Sequence, residues 1–293
     1  MLSKLIKYDF RALAKYGKPM LFVMLGVIVV GMLNAWGTGA LIMYVTSQIE
    51  VDGFAALLMI LSILLNVVII FALCGALVAI LILTLVHFYK SLVTDEGYLT
   101  FTLPVKASEI LLSKIINGFL WQLIFGALAV FGVCAILAFG VGMSIFLPAA
   151  QAGELAALMQ GFTEGLTELQ GIFGELWGSS TAYTVIVWVL NLLVASVYGQ
   201  LLYYTVIFFA SVVTNKNKVL VSIGCICGAY FANGIVNSLL TLFSELFGYV
   251  ISSNDASNFI GSTMTIMTLF YAGMSVLFFF LTKYMMEKKL NLP

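Results

Sequence analysis

Charge is what this sequence has least of. Asp, Glu, Lys and Arg together make up 9% of its residues, against 62% hydrophobic ones, where soluble domains carry about 25% charged residues. A soluble fold of that composition would expose large apolar patches and aggregate. Histidine is nearly absent too, with His87 alone, which argues against a Ser–His–Asp triad or a zinc site. No GxxxxGK[ST] phosphate loop occurs anywhere in the chain, so it is not expected to hydrolyse ATP unaided. The four cysteines, Cys74, Cys134, Cys225 and Cys227, fall inside apolar runs without a nearby histidine. They read as small buried apolar residues and not as metal ligands.

What is present is a series of apolar runs longer than the roughly 20 residues that cross a bilayer. They predict an all-α polytopic membrane protein in one transmembrane domain, with six spans at about 20–45, 55–87, 116–147, 181–213, 219–247 and 261–283. The second, third and fourth exceed the thickness of the hydrocarbon core and must tilt, kink or protrude. Five basic residues precede the first run, and that run is itself span-length, which is the pattern of an uncleaved N-terminus.

Orientation follows from where the thirteen basic residues stand. Lys4, Lys7, Arg11, Lys15 and Lys18 precede the first span, and Lys90, Lys106 and Lys114 lie between the second and third. Lys216 and Lys218 lie between the fourth and fifth, and Lys283, Lys288 and Lys289 close the chain. The alternate connections, 46–54, 148–180 and 248–260, hold none, while Glu50, Asp52, Glu154, Glu164, Glu168, Glu175, Glu245 and Asp255 gather on their side. Cytoplasmic loops retain Lys and Arg, so both termini are expected inside.

The first five basic residues are spaced 3, 4, 4 and 3 apart and fall on one helical stripe. Leu2, Leu5, Ile6, Phe10, Leu13 and Tyr16 are expected on the other side. Residues 1–18 therefore read as a helix in the membrane interface with its lysines toward anionic headgroups, and Gly17 and Pro19 are expected to turn the chain into the first span. Asp9 projects into the apolar face, where an unpaired carboxylate is costly. Either it pairs with a cation on a neighbouring helix end, Lys114 being a candidate, or it transmits motion.

The segment 89–115 is the one inner connection long enough for structure of its own. Thr94 before Asp95 and Glu96 resembles a helix start. Gly97, Tyr98, Leu99, Thr100, Phe101 and Leu103 follow, and Pro104 stops the element. Exposed aromatics on an inner face either dock another protein or pack back on the bundle and headgroups. The run DEGYLTFTLPV, followed by LLSK, resembles the ABC-2-type permease subunits common in Gram-positive bacteria. That resemblance implies that Thr94–Pro104 holds a coupling helix seated in a groove of a separate ATPase subunit. It implies a transporter of two permeases, identical or not, with two ATPases. ATP and Mg would be used by that partner, with no cofactor bound by this chain and no nucleic acid involved. Spans one, two and five would line the path between permeases, in a bacterial cytoplasmic membrane.

Polar residues inside the spans leave two readings open. Asn66, Asn191, Tyr198, Gln200, Tyr203, Tyr204, Asn233 and Asn237 either make interhelical hydrogen bonds or line a substrate path. Gly224, Gly228 and Gly234 suit a packing seam or a pore. The outer segment 148–180 reads as acidic amphipathic helices, either a lid or a cap. Ionisable residues are almost missing from the span interiors, Glu245 excepted, which disfavours a proton- or sodium-driven secondary carrier. The expected function is the permease subunit of an ATP-driven exporter. The alternatives are a scaffold or sensor docking a cytoplasmic partner through the same loop, and a secondary transporter.

Overall fold

The computed structural model describes residues 2–47, 53–94, 97, 102, 105–151, 163, 167, 170–171, 181–213, 218–251 and 256–288. They form six helices: α1 (Leu2–Ser47), α2 (Gly53–Val93), α3 (Ala107–Gln151), α4 (Thr181–Val213), α5 (Lys218–Ile251) and α6 (Ala256–Lys288). All six are long and apolar enough to cross a membrane. The chain is a multi-pass α-helical membrane protein. Most of segment 148–180 lies outside the described residues, so the expected amphipathic helices there do too.

The helices outlast the apolar runs. A bilayer core takes about 20 helical residues, whereas α1, α2 and α3 have 46, 41 and 45. No helix breaker stands between the end of the second apolar run and Thr94, so α2 continues to Val93. Downstream of Pro104, α3 starts at Ala107, its first turn closed by Glu109 N–H donating to the Lys106 carbonyl at 2.9 Å. The part of the 89–115 connection between α2 and α3 is correspondingly shorter, 94–106.

The turn expected at Gly17 and Pro19 is not there: α1 runs unbroken through Pro19. Proline leaves the carbonyl four residues back without its helical partner, here that of Lys15. Lys15 and Pro19 both lie on the exposed side of α1, where that carbonyl is not sealed from solvent. Gly17 serves a close approach instead of a bend. A Cβ there would stand 2.6 Å from the Trp121 ring, so only glycine admits the indole.

Two compact units divide the chain, one of Met1–Arg11, Thr84–Phe119 and Leu169–Pro293, the other of Ala12–Leu83 and Leu120–Glu168. In the first, α4 packs on α6 and α5, and α5 on α6. Its core holds Phe88, stacked on Tyr204 with ring centroids 3.7 Å apart, and Phe208 edge-on to Phe88 at 5.5 Å. In the second, the long apolar parts of α1, α2 and α3 bury Met24, Ile28, Ile69, Leu73, Ile80 and Phe125.

The cysteines differ from expectation. Cys74, Cys134 and Cys227 are exposed and Cys225 half-buried, all as free thiols. They sit in apolar runs, but a transmembrane helix is apolar toward lipid as well as toward its core, so an apolar run does not by itself bury a side chain. Tyr16 is corrected for a related reason. The buried arc of α1 passes through Leu13, Ala14 and Gly17, leaving Tyr16 exposed beside Lys15, whose Nζ lies 6.0 Å from the Tyr16 ring.

Candidate functional site

Three helix ends of the first unit meet around one carboxylate. Asp9 comes from the first turns of α1, His87 from the last turns of α2, and Ser113 and Lys114 from the second turn of α3. Lys114 Nζ lies 2.5 Å from Asp9 Oδ1, and the Ser113 hydroxyl donates to Oδ2 at 2.6 Å. His87 Nε2 stands 3.6 Å from Asp9 Oδ1 and 3.4 Å from Lys114 Nζ. A neutral ring accepts from the ammonium through Nε2, and a protonated ring faces the carboxylate. One turn further along α3, Asn117 Nδ2 donates to the carbonyls of Ile6 (3.1 Å) and Ser113 (3.0 Å).

Burial gives the cluster its weight. The side chains of Lys114 and Asp9 are 5% and 13% exposed, and Ser113 and Asn117 are fully buried. A charge so placed is tolerated only when paired and hydrogen-bonded, and Asp9 has a cation on one oxygen and a hydroxyl on the other. The apolar-face carboxylate is thereby explained as a tie between α1 and α3, with Lys114 the partner its sequence position suggested. His87 was not foreseen as a member. A lone histidine at a helix end gives no cue to what a helix start 27 residues later brings beside it.

The cluster brackets the connection whose residues carry the ABC-2 resemblance. On the α2 side, the Thr94 hydroxyl donates to the Lys90 carbonyl at 2.5 Å. It bonds back to the last turn of α2. The Thr94 carbonyl accepts from Gly97 N–H at 2.8 Å. Gly97 is buried, and a Cβ there would lie 2.6 Å from the Leu92 carbonyl oxygen. A backbone atom cannot swing aside as a side chain does, so the close approach of Gly97 to the Leu92 backbone needs glycine. Asp95, Glu96, Tyr98, Leu99, Thr100, Phe101, Leu103 and Pro104 lie outside the described residues.

The other sequence candidates resolve individually. Lys4, Lys7, Arg11, Lys15 and Lys18 are all exposed, one cationic stripe along the first part of α1. Asn66 Nδ2 donates to Thr38 Oγ1 at 3.2 Å, joining α2 to α1. Asn233 accepts from the Tyr198 hydroxyl at 2.8 Å and Asn237 from that of Tyr271 at 3.2 Å. With Asn191 to Thr268 (3.0 Å) and Thr205 to Thr282 (2.7 Å), these bonds form a polar ladder among α4, α5 and α6. Gly224, Gly228 and Gly234 have nothing within 4 Å of a Cβ position, so they form no packing seam within the described residues.

No family model, curated protein or solved structure matches the chain. The fold and the cluster define a six-helix membrane protein whose α1, α2 and α3 are tied together by a buried ion pair and its hydrogen bonds.

Proposed function

We propose that the chain is the membrane-spanning subunit of an ATP-driven exporter, coupled to a separate ATPase through the connection between α2 and α3. The observation that carries this reading is the Asp9–Lys114–His87 cluster beside that connection. A pull or push on residues 94–106 acts on the end of α2 and the start of α3. The ion pair hands the displacement on to α1, since losing it would strand a buried charge. The DEGYLTFTLPV run and the lack of a phosphate loop support an engine in another polypeptide, which would bind ATP and Mg. In this reading both termini and the connection face the cytoplasm of a bacterial cell, and a second permease, identical or not, completes the pathway.

The test is co-purification with an ATPase subunit, expected to be encoded beside this chain, followed by transport-stimulated hydrolysis. Tyr98→Ala together with Leu99→Ala is expected to abolish both while leaving the chain in the membrane. An intact complex with undiminished stimulation removes the coupling assignment. A scaffold or sensor would use the same connection to hold a signalling partner; a lack of any ATPase in the affinity-purified complex, with another protein in its place, favours that second reading.

A further inference from the structure

Along α1 one exposed face changes character without changing side. Lys15, Lys18, Phe22, Val29 and Leu33 are all exposed and fall within about 60° of one another at 3.6 residues per turn. The opposite face packs inward through Gly17, Met24 and Ile28. Because α1 runs unbroken through Pro19, the cationic stretch and the apolar one form a single lane. From Phe22 to Leu33 that lane covers about 16 Å of helix, close to the roughly 15 Å depth of one leaflet. Tyr16 is 60% exposed next to Lys15, and its amphipathic ring suits the headgroup level.

Pro19 adds an acceptor to the two cations. Having no N–H, it leaves the Lys15 carbonyl without its helical donor, on the exposed side where Lys15, Lys18 and Pro19 all lie. Two ammonium groups one turn apart suit a phosphate, and a bare carbonyl suits a hydroxyl. We infer that this lane binds an anionic glycerophospholipid whose headgroup carries a free hydroxyl. Its phosphate rests on Lys15 and Lys18, its hydroxyl donates to the Lys15 carbonyl, and an acyl chain follows Phe22, Val29 and Leu33. Charge complementarity selects an anion. The apolar continuation selects a lipid over an acidic protein, because a soluble acidic surface does not call for a leaflet's depth of exposed hydrocarbon on the same face. The site is independent of the transport reading.

Phosphatidylglycerol has both the phosphate charge and free hydroxyls, and is the probe. Titrated against the purified full chain in non-ionic detergent and read by native mass spectrometry, it is expected to bind about tenfold or more tightly than zwitterionic phosphatidylcholine. Lys15→Gln with Lys18→Gln is expected to weaken it about 20- to 30-fold, at about fivefold for each lysine beside an anionic headgroup. Lys4→Gln with Lys7→Gln, on the same stripe but away from the proline, is expected to weaken it less than about threefold. Phosphatidylmethanol keeps the charge without the hydroxyl and is expected to bind several-fold more weakly than phosphatidylglycerol. Pro19→Ala returns an N–H to the Lys15 carbonyl and is expected to erase that difference. Equal binding of phosphatidylglycerol and phosphatidylcholine, or equal losses from the two lysine pairs, overturns the site. So does the lack of a preference for phosphatidylglycerol over phosphatidylmethanol, or one that survives Pro19→Ala. An acidic protein as the occupant would show neither lipid preference.

Discussion

The Lys114 ammonium lies 2.5 Å from the Asp9 carboxylate in a setting where neither side chain is more than 13% exposed. One comes from the first turns of α1 and the other from the second turn of α3, 105 residues apart. Their pairing holds two long helices together at the connection proposed to receive the ATPase.

Breaking one side of this pair costs more than removing both. Asp9→Asn or Lys114→Met alone leaves a buried charge without its partner and is expected to destabilise the protein by about 3–5 kcal/mol. The double variant replaces the ion pair with neutral groups and recovers most of that loss. Thermal unfolding of all four forms in detergent gives the cycle directly. Additive losses would mean that the two residues act independently.

Gly97 and Gly228 make a contrasting pair. A methyl at Gly97 meets the Leu92 carbonyl, whereas one at Gly228 meets nothing within 4 Å. Gly97→Ala is expected to cost about 1–3 kcal/mol through overpacking and to open the connection after α2 to protease. Gly228→Ala, in an open helix interior, is expected to be neutral or to gain up to about 1 kcal/mol. Limited proteolysis beside thermal unfolding separates the two outcomes.

The α4–α5–α6 ladder is expected to be structural at modest strength. Tyr198→Phe removes the bond to Asn233 and should cost about 0.6–2 kcal/mol without altering substrate selectivity. Tyr271→Phe, which frees Asn237, should behave alike. A change in which compounds are transported, with unfolding unaffected, would return these asparagines to the transport path.

Topology is testable with single cysteines introduced after the four native ones are replaced. A membrane-impermeant maleimide applied to intact cells should label a cysteine at Glu164 and leave one at Lys4 or Lys106 unlabelled until the membrane is opened. The physical basis is the resistance of Lys and Arg to translocation. Labelling at Lys106 from outside would reverse the orientation and separate the 94–106 connection from any cytoplasmic ATPase.

Composition and spacing carried the architecture. Six apolar runs became six helices because a lipid-facing backbone must satisfy its hydrogen bonds within its own segment, a constraint that acts locally and so is written in local sequence. The stripe of Lys4, Lys7, Arg11, Lys15 and Lys18 came out exposed for the same reason, since helical periodicity alone places those side chains together. What periodicity could not show is which of a helix's apolar faces meets protein and which meets lipid. Cys74 and Cys134 look identical to core residues on that measure, and so does Tyr16. The partners of Asp9, the glycine contact at Gly17 and the hydrogen bonds of Asn233 depended on where separate helices come to rest against one another. Such choices arise from packing between residues far apart in the chain, and no window of neighbouring residues contains them.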